Sequence, residues 1–479
     1  MTALHNAFFI GNEWVAPSSS RQFALVNAST GEEIGRAPEA VEADVDAAVA
    51  AARQAFDGLG WSDLEPAARA DVMDRFLVAV AARGDQLARA VSLQNGMPIA
   101  LSSLLEGQFA AGVIQYYAQL ARGLGAPDIR PSQMGKETHV EGYPVGVVAA
   151  IVPWNFPVTL ALNKVAPAMA AGCTLVIKPS PGTILDSQIL AEAALEAGVP
   201  AGVLNWVPAD REVGAYLVSH PGVDKVAFTG STHAGRDIAR TCGELLRPVT
   251  LELGGKSAAI LLEDFDLDSF VQGAPMALLL NNGQACYNAT RVLAPRKRYD
   301  EVVGALADLA RSLVVGDALD QGTQIGPMAS AMHRDKVEKY IALGKEEGRL
   351  VAGGGRPASA PKGWFVEPTV FADVENSARI AQEEIFGPVL TIIRYDDEDQ
   401  AINIANDSQF GLGGSVWSAD GGHALSIARK IASGTVGVNG YMPSLGAPFG
   451  GVKGSGMGRE FGPEAIAAYQ NTKSIYVMG

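Results

Sequence analysis

Between Gly146 and Gly254 the chain alternates short apolar runs with segments of helical periodicity, and this alternation limits the fold more than any other feature. The five apolar runs are GVVAAIVP, TLVIKP, VLNWVPA, KVAFTG and PVTLELG. Helix-like segments separate them at 158–172, 184–198, 213–220 and 231–245. Strands that alternate with helices form parallel sheets covered by helices. The sequence therefore predicts an α/β fold built on a parallel sheet.

The alternation extends beyond this sheet and indicates a second α/β unit. A new apolar run, AAILLED, begins at residue 258, and the pattern continues to about residue 435. Three helical stretches precede the first sheet, at 43–59, 67–95 and 101–122. We therefore predict a first domain formed by residues 1–122 and 146–253 and a second formed by residues 254–435. Domain boundaries of this kind commonly hold an active site.

Two segments lie outside this division. Residues 123–145 lose helical periodicity and carry Pro127, Pro131 and Gly135, and the tail 448–479 ends in the strand-like run TKSIYVM. An extended arm and a terminal strand offer sheet edges that pair with another subunit. A hairpin that packs on its own subunit explains the pattern equally well.

Composition and charge exclude several classes of protein. The chain has 52 acidic and 37 basic residues, a formal net charge of −15, and no basic stripe, which disfavours nucleic-acid binding. It contains no run of about twenty apolar residues, and MTALHNAFFIGNEWV lacks the pattern of a signal peptide. The three cysteines form no CxxC pair, which disfavours a disulfide scaffold and a metal site. We expect a cytoplasmic protein without a membrane partner.

Cys286 is the candidate nucleophile. It lies in NNGQACYNATR (281–291), a polar stretch that follows an apolar run, so we expect its side chain to be accessible. The thiolate form of cysteine is a strong nucleophile, and a cysteine is reactive when its thiol is exposed and has a lowered pKa. Cys173 lies in apolar surroundings and is expected to be buried, and Cys242 lies in a segment of helical spacing and is expected to be inert.

The loops that follow the predicted strands carry further candidates, because parallel sheets bind ligands beyond the carboxyl ends of their strands. Glu252 stands alone inside apolar PVTLELGG, where a charge is costly without a function or partner. Gly230 to Gly235 form a GxxxxG turn between a strand and a helix, which differs from the GxGxxG fingerprint. Such a turn still permits close backbone approach to a phosphate at a helix start.

Seven motifs occur together in a characteristic order. They are PWNFP (153–157), KPS (178–180), FTGS (228–231), LELGGK (251–256), GQAC (283–286), EEIFGP (383–388) and GRE (458–460). Over nearly its whole length the chain resembles the NAD(P)-dependent aldehyde dehydrogenases. The resemblance implies a Rossmann-like cofactor domain, an α/β catalytic domain and a small β oligomerisation arm. It also implies oxidation of an aldehyde to a carboxylic acid by a homodimer or homotetramer.

The resemblance assigns catalytic roles. Cys286 matches the nucleophile that forms a thiohemiacetal and then a thioester, and the Asn155 amide with the Cys286 N–H would hold the oxyanion. Glu252 matches the base that activates the deacylating water, so the fold must bring it near Cys286. Lys164 and Glu460 match positions on a proton path, although each would otherwise pass for a surface charge.

The resemblance also implies the cofactor positions. These are Gly230 and Ser231 for the diphosphate, Lys178 and Ser180 for the adenosine ribose, Glu384 with Phe386 for the nicotinamide ribose, and Trp154 and Leu253 lining the cleft. One position departs from the family pattern, since NAD-preferring members commonly carry Glu where this chain has Pro181. Without that carboxylate a 2′-phosphate meets less repulsion, so NAD is favoured and NADP is possible.

Substrate and reaction leave alternatives open. Phe156, Leu160, Tyr287 and Phe449 fall near tunnel positions of the family and favour an apolar or aromatic aldehyde, whereas Arg291 is expected to be structural. A CoA-acylating aldehyde dehydrogenase would lack the base that Glu252 supplies. A non-catalytic binding descendant would not need the three catalytic side chains, and a hydrolase would not need the dinucleotide loops.

Overall fold

The computed structural model describes residues 4–58 and 60–478 and has a mixed α/β architecture. The helices are α1 (Glu42–Asp57), α2 (Pro66–Ala81), α3 (Gly84–Asn95), α4 (Ile99–Ser102), α5 (Ala110–Ala121), α6 (Pro157–Ala171), α7 (Leu185–Glu196), α8 (Arg211–Ser219), α9 (Thr232–Glu244), α10 (Leu267–Leu278), α11 (Tyr299–Ser312), α12 (Ala331–Glu347), α13 (Arg379–Gln382), α14 (Glu398–Asn406), α15 (Gly421–Ala428) and α16 (Glu464–Ala467). A π-helical segment, Ser103–Phe109, joins α4 to α5. Short 3₁₀ turns occur at Arg296–Arg298 and Lys453–Ser455.

The strands form four sheets. They are β1 (Phe8–Ile10), β2 (Glu13–Val15), β3 (Gln22–Val26), β4 (Glu33–Pro38), β5 (Asp128–Pro131), β6 (Glu137–Pro144), β7 (Val147–Ile151), β8 (Thr174–Lys178), β9 (Leu204–Trp206), β10 (Lys225–Thr229), β11 (Val249–Glu252), β12 (Ala258–Leu261), β13 (Arg291–Pro295), β14 (Arg349–Ala352), β15 (Thr369–Ala372), β16 (Val389–Tyr395), β17 (Gly414–Trp417), β18 (Gly437–Val438), β19 (Gly456–Met457) and β20 (Gln470–Val477).

The first sheet confirms the predicted alternation. Its order is β19-β11-β10-β7-β8-β9-β1-β2, and the five strands from β11 to β9 are parallel. They correspond to the five apolar runs. The strands β7, β8 and β10 are buried along their whole length, as expected when helices cover both faces of a sheet. The carboxyl ends of β7, β8, β10 and β11 bring the PWNFP, KPS, FTGS and LELGGK loops to one edge of the sheet.

The second sheet begins at Ala258 and has the order β14-β15-β16-β13-β12-β17-β18. Its strands are parallel except for β14, which pairs antiparallel with β15 at the edge. The long segment between β12 and β13 contains α10 and the turn that carries Cys286. The second sheet therefore delivers the candidate nucleophile.

The arm and the tail meet within one chain. Strand β6 pairs antiparallel with β5 on one side and with β20 on the other, in a register that runs from Gln470 opposite Pro144 to Val477 opposite Glu137. Strand β5 is exposed throughout and forms one edge of this sheet. The tail is divided, because β19 pairs with β11 of the first sheet.

Helix α6 connects the first sheet to the pocket region. It starts at Pro157, where proline favours a first helical turn, and fourteen of its fifteen residues are buried. Leu160 is the exception. Because the helix is enclosed, its polar residues Asn163 and Lys164 lie in the interior. Within residues 4–58 and 60–478, no helix is long and apolar enough to cross a membrane.

Arg291 supports the second sheet from inside. Its side chain is buried, with 1 % of its surface exposed. The guanidinium donates to the carbonyl oxygens of Lys256, Ile404 and Ala405 and to Asn376 Oδ1, each at 2.9 Å. It therefore satisfies buried acceptors from separate loops, which agrees with the predicted structural role.

We expect Arg291→Met to lower the free energy of unfolding by at least about 3 kcal/mol, because it leaves several buried acceptors unpaired. Urea unfolding followed by tryptophan fluorescence measures the change. Arg240→Met is the matched control, since Arg240 is exposed and pairs with Asp237 on the surface. Equal unfolding midpoints for the two variants would contradict a structural role for Arg291.

Candidate active site

A strained turn holds Cys286 at the end of the segment that follows α10. Asn281, Asn282 and Gly283 have positive φ angles of 51°, 60° and 78°. Three successive left-handed residues are uncommon, and such strain clusters at functional sites. A Cβ at Gly283 would lie 2.2 Å from the carbonyl oxygen of Gly387, so only glycine fits there. The turn leaves Cys286 half-buried, facing a pocket, while Cys173 is buried as predicted and Cys242 is buried too.

The LELGGK loop packs directly on the nucleophile turn. A Cβ at Gly255 would lie 2.4 Å from the Cys286 carbonyl oxygen, so this approach also requires glycine. The contact joins a loop of the first sheet to the turn delivered by the second sheet. It brings the segment that ends in Glu252 close to Cys286.

The thiol of Cys286 differs from the sequence expectation in its acidity. Burial, followed by the nearby carboxylates of Glu384 and Glu252, raises the pKa of Cys286 above its ordinary value. The lowered pKa that activates many cysteine nucleophiles is therefore not found here, because the side chain faces an enclosed pocket between acidic groups. A resting thiol of this kind needs a base before it attacks.

Glu252 is the candidate base predicted from the sequence. Only 3 % of its surface is exposed, and neither carboxylate oxygen has a hydrogen-bond partner within the described part of the chain. Burial, followed by Glu460, raises the pKa of Glu252 well above its ordinary value, and Lys164 opposes this shift. An unpaired buried carboxyl is costly and signals a functional role or a bound water.

Lys164 and Glu460 form a buried pair beside Glu252. The Lys164 Nζ donates to Glu460 Oε1 and to Thr229 Oγ1, each at 2.6 Å. The side chains of Lys164 and Glu460 are 0 % and 4 % exposed, which excludes the alternative of routine surface charges. The pair links α6 to the GRE motif behind the candidate base.

Asn155 lies between the same loops. Its Nδ2 donates to the carbonyl oxygen of Gln284, two residues before Cys286, at 2.9 Å. The backbone carbonyl oxygen of Asn155 accepts from the side-chain amides of Asn95 (2.9 Å) and Asn281 (2.8 Å). Because an amide nitrogen has two hydrogens, one N–H of Asn155 is not committed to Gln284. The geometry fixes this donor next to the nucleophile turn.

An apolar pocket that is partly open to solvent adjoins Cys286. Its lining consists of Leu105, Phe109, Phe156, Thr159, Leu160, Asn163, Tyr287, Met442, Pro443, Phe449, Glu460 and Phe461. All four tunnel residues expected from the sequence are present. The π-helical segment and the C-terminal region supply residues that the sequence analysis missed, because no local pattern connects these distant segments to Cys286.

An aromatic group marks the other side of the nucleophile turn. Trp154 packs edge-on against Phe386, with ring centroids 5.4 Å apart, and against His333 at 5.1 Å. Burial lowers the pKa of His333 to about 4, so the neutral ring donates from Nε2 to the Phe386 carbonyl oxygen at 2.7 Å. His333 was not found from the sequence, which offers no motif around it.

Glu384 belongs to this side of the cleft. Its Oε1 accepts from the Gly255 N–H at 2.8 Å, so the carboxylate is fixed against the LELGGK loop. Burial raises the pKa of Glu384, and the Gly255 hydrogen bond opposes that shift. The predicted neighbours Glu384 and Phe386 therefore lie beside the same loop as Glu252.

The remaining cofactor candidates line the edge of the first sheet. The Lys178 Nζ donates to the carbonyl oxygens of Ala209 (2.6 Å) and Pro179 (3.2 Å), and burial lowers its pKa to about 8. Ser180 is partly exposed on the same loop. One of the three Lys178 N–H donors is not used by these two acceptors.

The FTGS loop completes this edge. The Gly230 N–H donates to the Glu252 carbonyl oxygen at 3.0 Å, and Ser231 caps α9 by accepting from the Ala234 N–H at 3.2 Å. Leu253 is buried, and its N–H donates to the Ser455 carbonyl oxygen at 3.0 Å. A helix start, an uncommitted ammonium donor and a carboxylate fit a dinucleotide. Within the described residues, no group of His, Cys, Asp and Glu is arranged to hold a metal.

Known proteins match the chain over its length. The profile described as "Aldehyde dehydrogenase family" matches residues 14–475. Geranial dehydrogenase from Castellaniella defragrans is 61 % identical over 479 residues, covering 100 % of each chain. Phenylacetaldehyde dehydrogenase from Pseudomonas fluorescens is 40 % identical over 482 residues, covering 99 % of this chain and 96 % of that protein.

A solved structure agrees with these sequence matches. An aldehyde dehydrogenase of Mycobacterium tuberculosis, complexed with NAD+, has a TM-score of 0.97 at 46 % identity, covering 100 % of this chain and 99 % of its own. The predicted fold class and family are thereby confirmed: this protein belongs to the aldehyde dehydrogenase family and is an aldehyde-oxidising enzyme of the nicotinamide-dependent type.

Proposed function

We propose that this protein oxidises apolar aldehydes to carboxylic acids with NAD as acceptor, through a thioester on Cys286 that Glu252-activated water hydrolyses. One observation carries the proposal. A half-buried thiol faces an apolar pocket, and near it lies a buried carboxyl that has no hydrogen-bond partner among the described residues. This arrangement combines a nucleophile, a base and a place for an aldehyde chain.

Proton transfer begins the first step. The raised pKa of the Cys286 thiol means that the proton must leave as sulfur attacks the aldehyde carbon, and the Glu252 carboxylate accepts it directly or through a water. The carbonyl oxygen then becomes an oxyanion. The free N–H of Asn155 and the Cys286 backbone N–H stabilise this charge, a contribution of about 3 to 4 kcal/mol for one donor in related cases.

The cofactor edge holds the residues that would bind the acceptor. The chemistry that bound NAD would supply is acceptance of the hydride from the former aldehyde carbon. Lys178, Ser180, Gly230 and Ser231 would bind its adenosine and diphosphate portions. Glu384, Phe386, Trp154 and Leu253 would enclose the nicotinamide side of the cleft.

Glu252 acts again in hydrolysis. Its raised pKa makes the carboxylate a stronger base than an exposed glutamate, so it can take a proton from the water that attacks the thioester. The buried Lys164 and Glu460 pair lies behind it and provides a route by which this proton leaves. Attack expels the Cys286 thiolate and releases the acid.

The pocket favours apolar aldehydes. Its walls are mainly aromatic and aliphatic, and Tyr287, Phe449 and Phe461 form successive edge-on contacts with centroids 6.1 and 6.0 Å apart. Geranial and phenylacetaldehyde, named for two relatives, are apolar aldehydes. An aldehyde dehydrogenase of Pseudomonas syringae, 39 % identical with a TM-score of 0.95 over 99 % of this chain and 97 % of its own, was crystallised with octanal.

We also propose the division into two domains and the assembly into an oligomer that the sequence predicts. We assign cofactor binding to residues 1–122 and 146–253 and the nucleophile to residues 254–435. The exposed edge of β5 favours pairing with another subunit in a homodimer or homotetramer.

Cys286→Ala should abolish aldehyde-dependent NAD reduction, because no other side chain at the pocket replaces the sulfur. The rate is measured with an aliphatic and an aromatic aldehyde, from the absorbance of the reduced nicotinamide that forms. Cys242→Ala is the matched control and should retain activity, since Cys242 is buried elsewhere. Absence of aldehyde-dependent reduction by the parent would contradict the proposed reaction.

Glu252→Gln should form reduced cofactor in one burst and then stall, because acylation proceeds while hydrolysis lacks its base. Stopped-flow absorbance resolves the two phases. Since burial and Glu460 raise the pKa of Glu252, hydrolysis by the parent should accelerate as pH rises and the carboxyl loses its proton. The exposed-residue control Glu263→Gln should behave as the parent. Steady turnover by Glu252→Gln would exclude Glu252 as the base.

Pro181→Glu should lower kcat/KM for NADP by at least about tenfold relative to NAD, because the new carboxylate repels a 2′-phosphate. The parent should use NAD better while retaining measurable activity with NADP. Parallel titrations of both cofactors give the ratio, and Pro181→Gln controls for shape. If Pro181→Gln and Pro181→Glu change the ratio equally, charge at this position does not determine the preference.

A further inference from the structure

Glu106 is a buried carboxyl that the proposed reaction does not use. It lies in the π-helical segment Ser103–Phe109, which joins α4 and α5, and none of its surface is exposed. Short π-helical stretches within longer helices occur frequently at functional sites. The position of Glu106 therefore calls for a physical explanation.

The carboxyl of Glu106 binds the start of α6. Its Oε2 accepts from the Val158 N–H at 2.8 Å and from the Thr159 N–H at 3.4 Å. The first N–H groups of a helix have no partner inside the helix. The residue before α6, Phe156, offers no side-chain cap. Glu106 thus supplies, from another helix, the cap that the sequence of α6 lacks.

A hydrogen bond from the Thr159 side chain also joins the π-helical segment to α6. The Thr159 hydroxyl donates to the Leu105 carbonyl oxygen at 2.8 Å. Two consecutive residues of the π-helical segment are therefore tied to the first turn of α6. Both tied elements line the same pocket: Leu105 and Phe109 line it from the π-helical segment, and Leu160 and Asn163 line it from α6.

We propose that Glu106 is a positioning residue that clasps the π-helical segment to the start of α6 and thereby sets the width of the aldehyde pocket and the placement of the Asn155 amide. Asn155 lies only two residues before α6, so movement of the first turn displaces the oxyanion donor. This role rests on the proposed aldehyde oxidation, whereas the clasp itself is a structural claim.

The acceptor oxygen, rather than the negative charge, carries the role. Burial raises the pKa of Glu106 to about 7, and the hydrogen bonds from Thr159 and Val158 oppose that shift. Asp186 of α7 is the neighbouring acid: burial raises its pKa, its own backbone hydrogen bond opposes that shift, and Glu106 adds to it. Glutamine offers the same acceptor without a charge, while leucine of similar size offers none.

Hydrogen exchange tests the clasp without relying on catalysis. In Glu106→Leu the amides of Val158 and Thr159 should exchange at least about tenfold faster than in the parent, because their buried acceptor is lost. In Glu106→Gln the exchange rates should stay within about threefold of the parent. Mass spectrometry of peptides spanning 156–164 measures both. Unchanged exchange in Glu106→Leu, or equal acceleration in both variants, would overturn the clasp.

Kinetics tests the consequence for the pocket. Glu106→Leu should lower kcat/KM for a bulky apolar aldehyde by about tenfold or more, while Glu106→Gln remains near the parent. The dissociation constant for NAD, measured by fluorescence titration without aldehyde, should stay within about twofold in both, because the clasp lies on the substrate side. A parallel loss of NAD binding would indicate general damage and contradict a positioning role.

Thr159→Val keeps the proposal testable if Glu106→Leu does not fold. It removes the hydroxyl tie to Leu105 and keeps the size of the side chain. Because Thr159 also lines the pocket, hydrogen exchange is the readout: peptides spanning 156–164 should exchange at least about threefold faster with NAD affinity unchanged. Unchanged exchange would contradict the clasp. If the parent itself oxidises no aldehyde, the proposed function fails, while the exchange comparison still decides whether Glu106 holds α6.

Discussion

The contact between Gly255 and the Cys286 carbonyl oxygen is the constraint on which the site depends. With only 2.4 Å between that oxygen and the place of a Cβ, the LELGGK loop lies flush against the nucleophile turn. This contact joins groups delivered by separate sheets. Glu252 lies near one end of this loop. Near the other end, the Gly255 N–H donates to the Glu384 carboxylate and holds it in place. A larger residue at Gly255 would push this loop away from the nucleophile turn, and so would displace both Glu252 and Glu384 from Cys286.

Close packing also determines the acidities. The same burial that excludes water raises the pKa of Cys286 and of Glu252, so both groups favour their neutral forms. Glu252 must therefore lose its own proton before it can accept one from the thiol, and the nearby Lys164 favours that charged form. The Lys164 and Glu460 pair provides compensating charge nearby. The cost of burying these groups is met by the packed cores of both sheets.

Local patterns in the sequence predicted much of this arrangement. The apolar runs became β7 to β11, and their carboxyl ends and the loops that follow contain Asn155, Lys178, Ser231 and Glu252, because strand order gathers carboxyl ends at one edge. Long-range contacts explain what the sequence did not reveal. Glu106 accepts from Val158 across 52 residues, and His333 contacts Phe386 across 53 residues, so neither has a local signature. The raised thiol pKa likewise depends on burial and on carboxylates that only the fold brings near Cys286.

The most direct measurement of the central claim is the site of acylation. Glu252→Gln, incubated with NAD and an apolar aldehyde, is digested at acidic pH, and its peptides are weighed by mass spectrometry. An acyl group on the peptide that contains Cys286, with Cys173 and Cys242 unmodified, is the predicted result. An acyl group on either of the other cysteines, or formation of reduced cofactor without any acylated peptide, would contradict a thioester on Cys286.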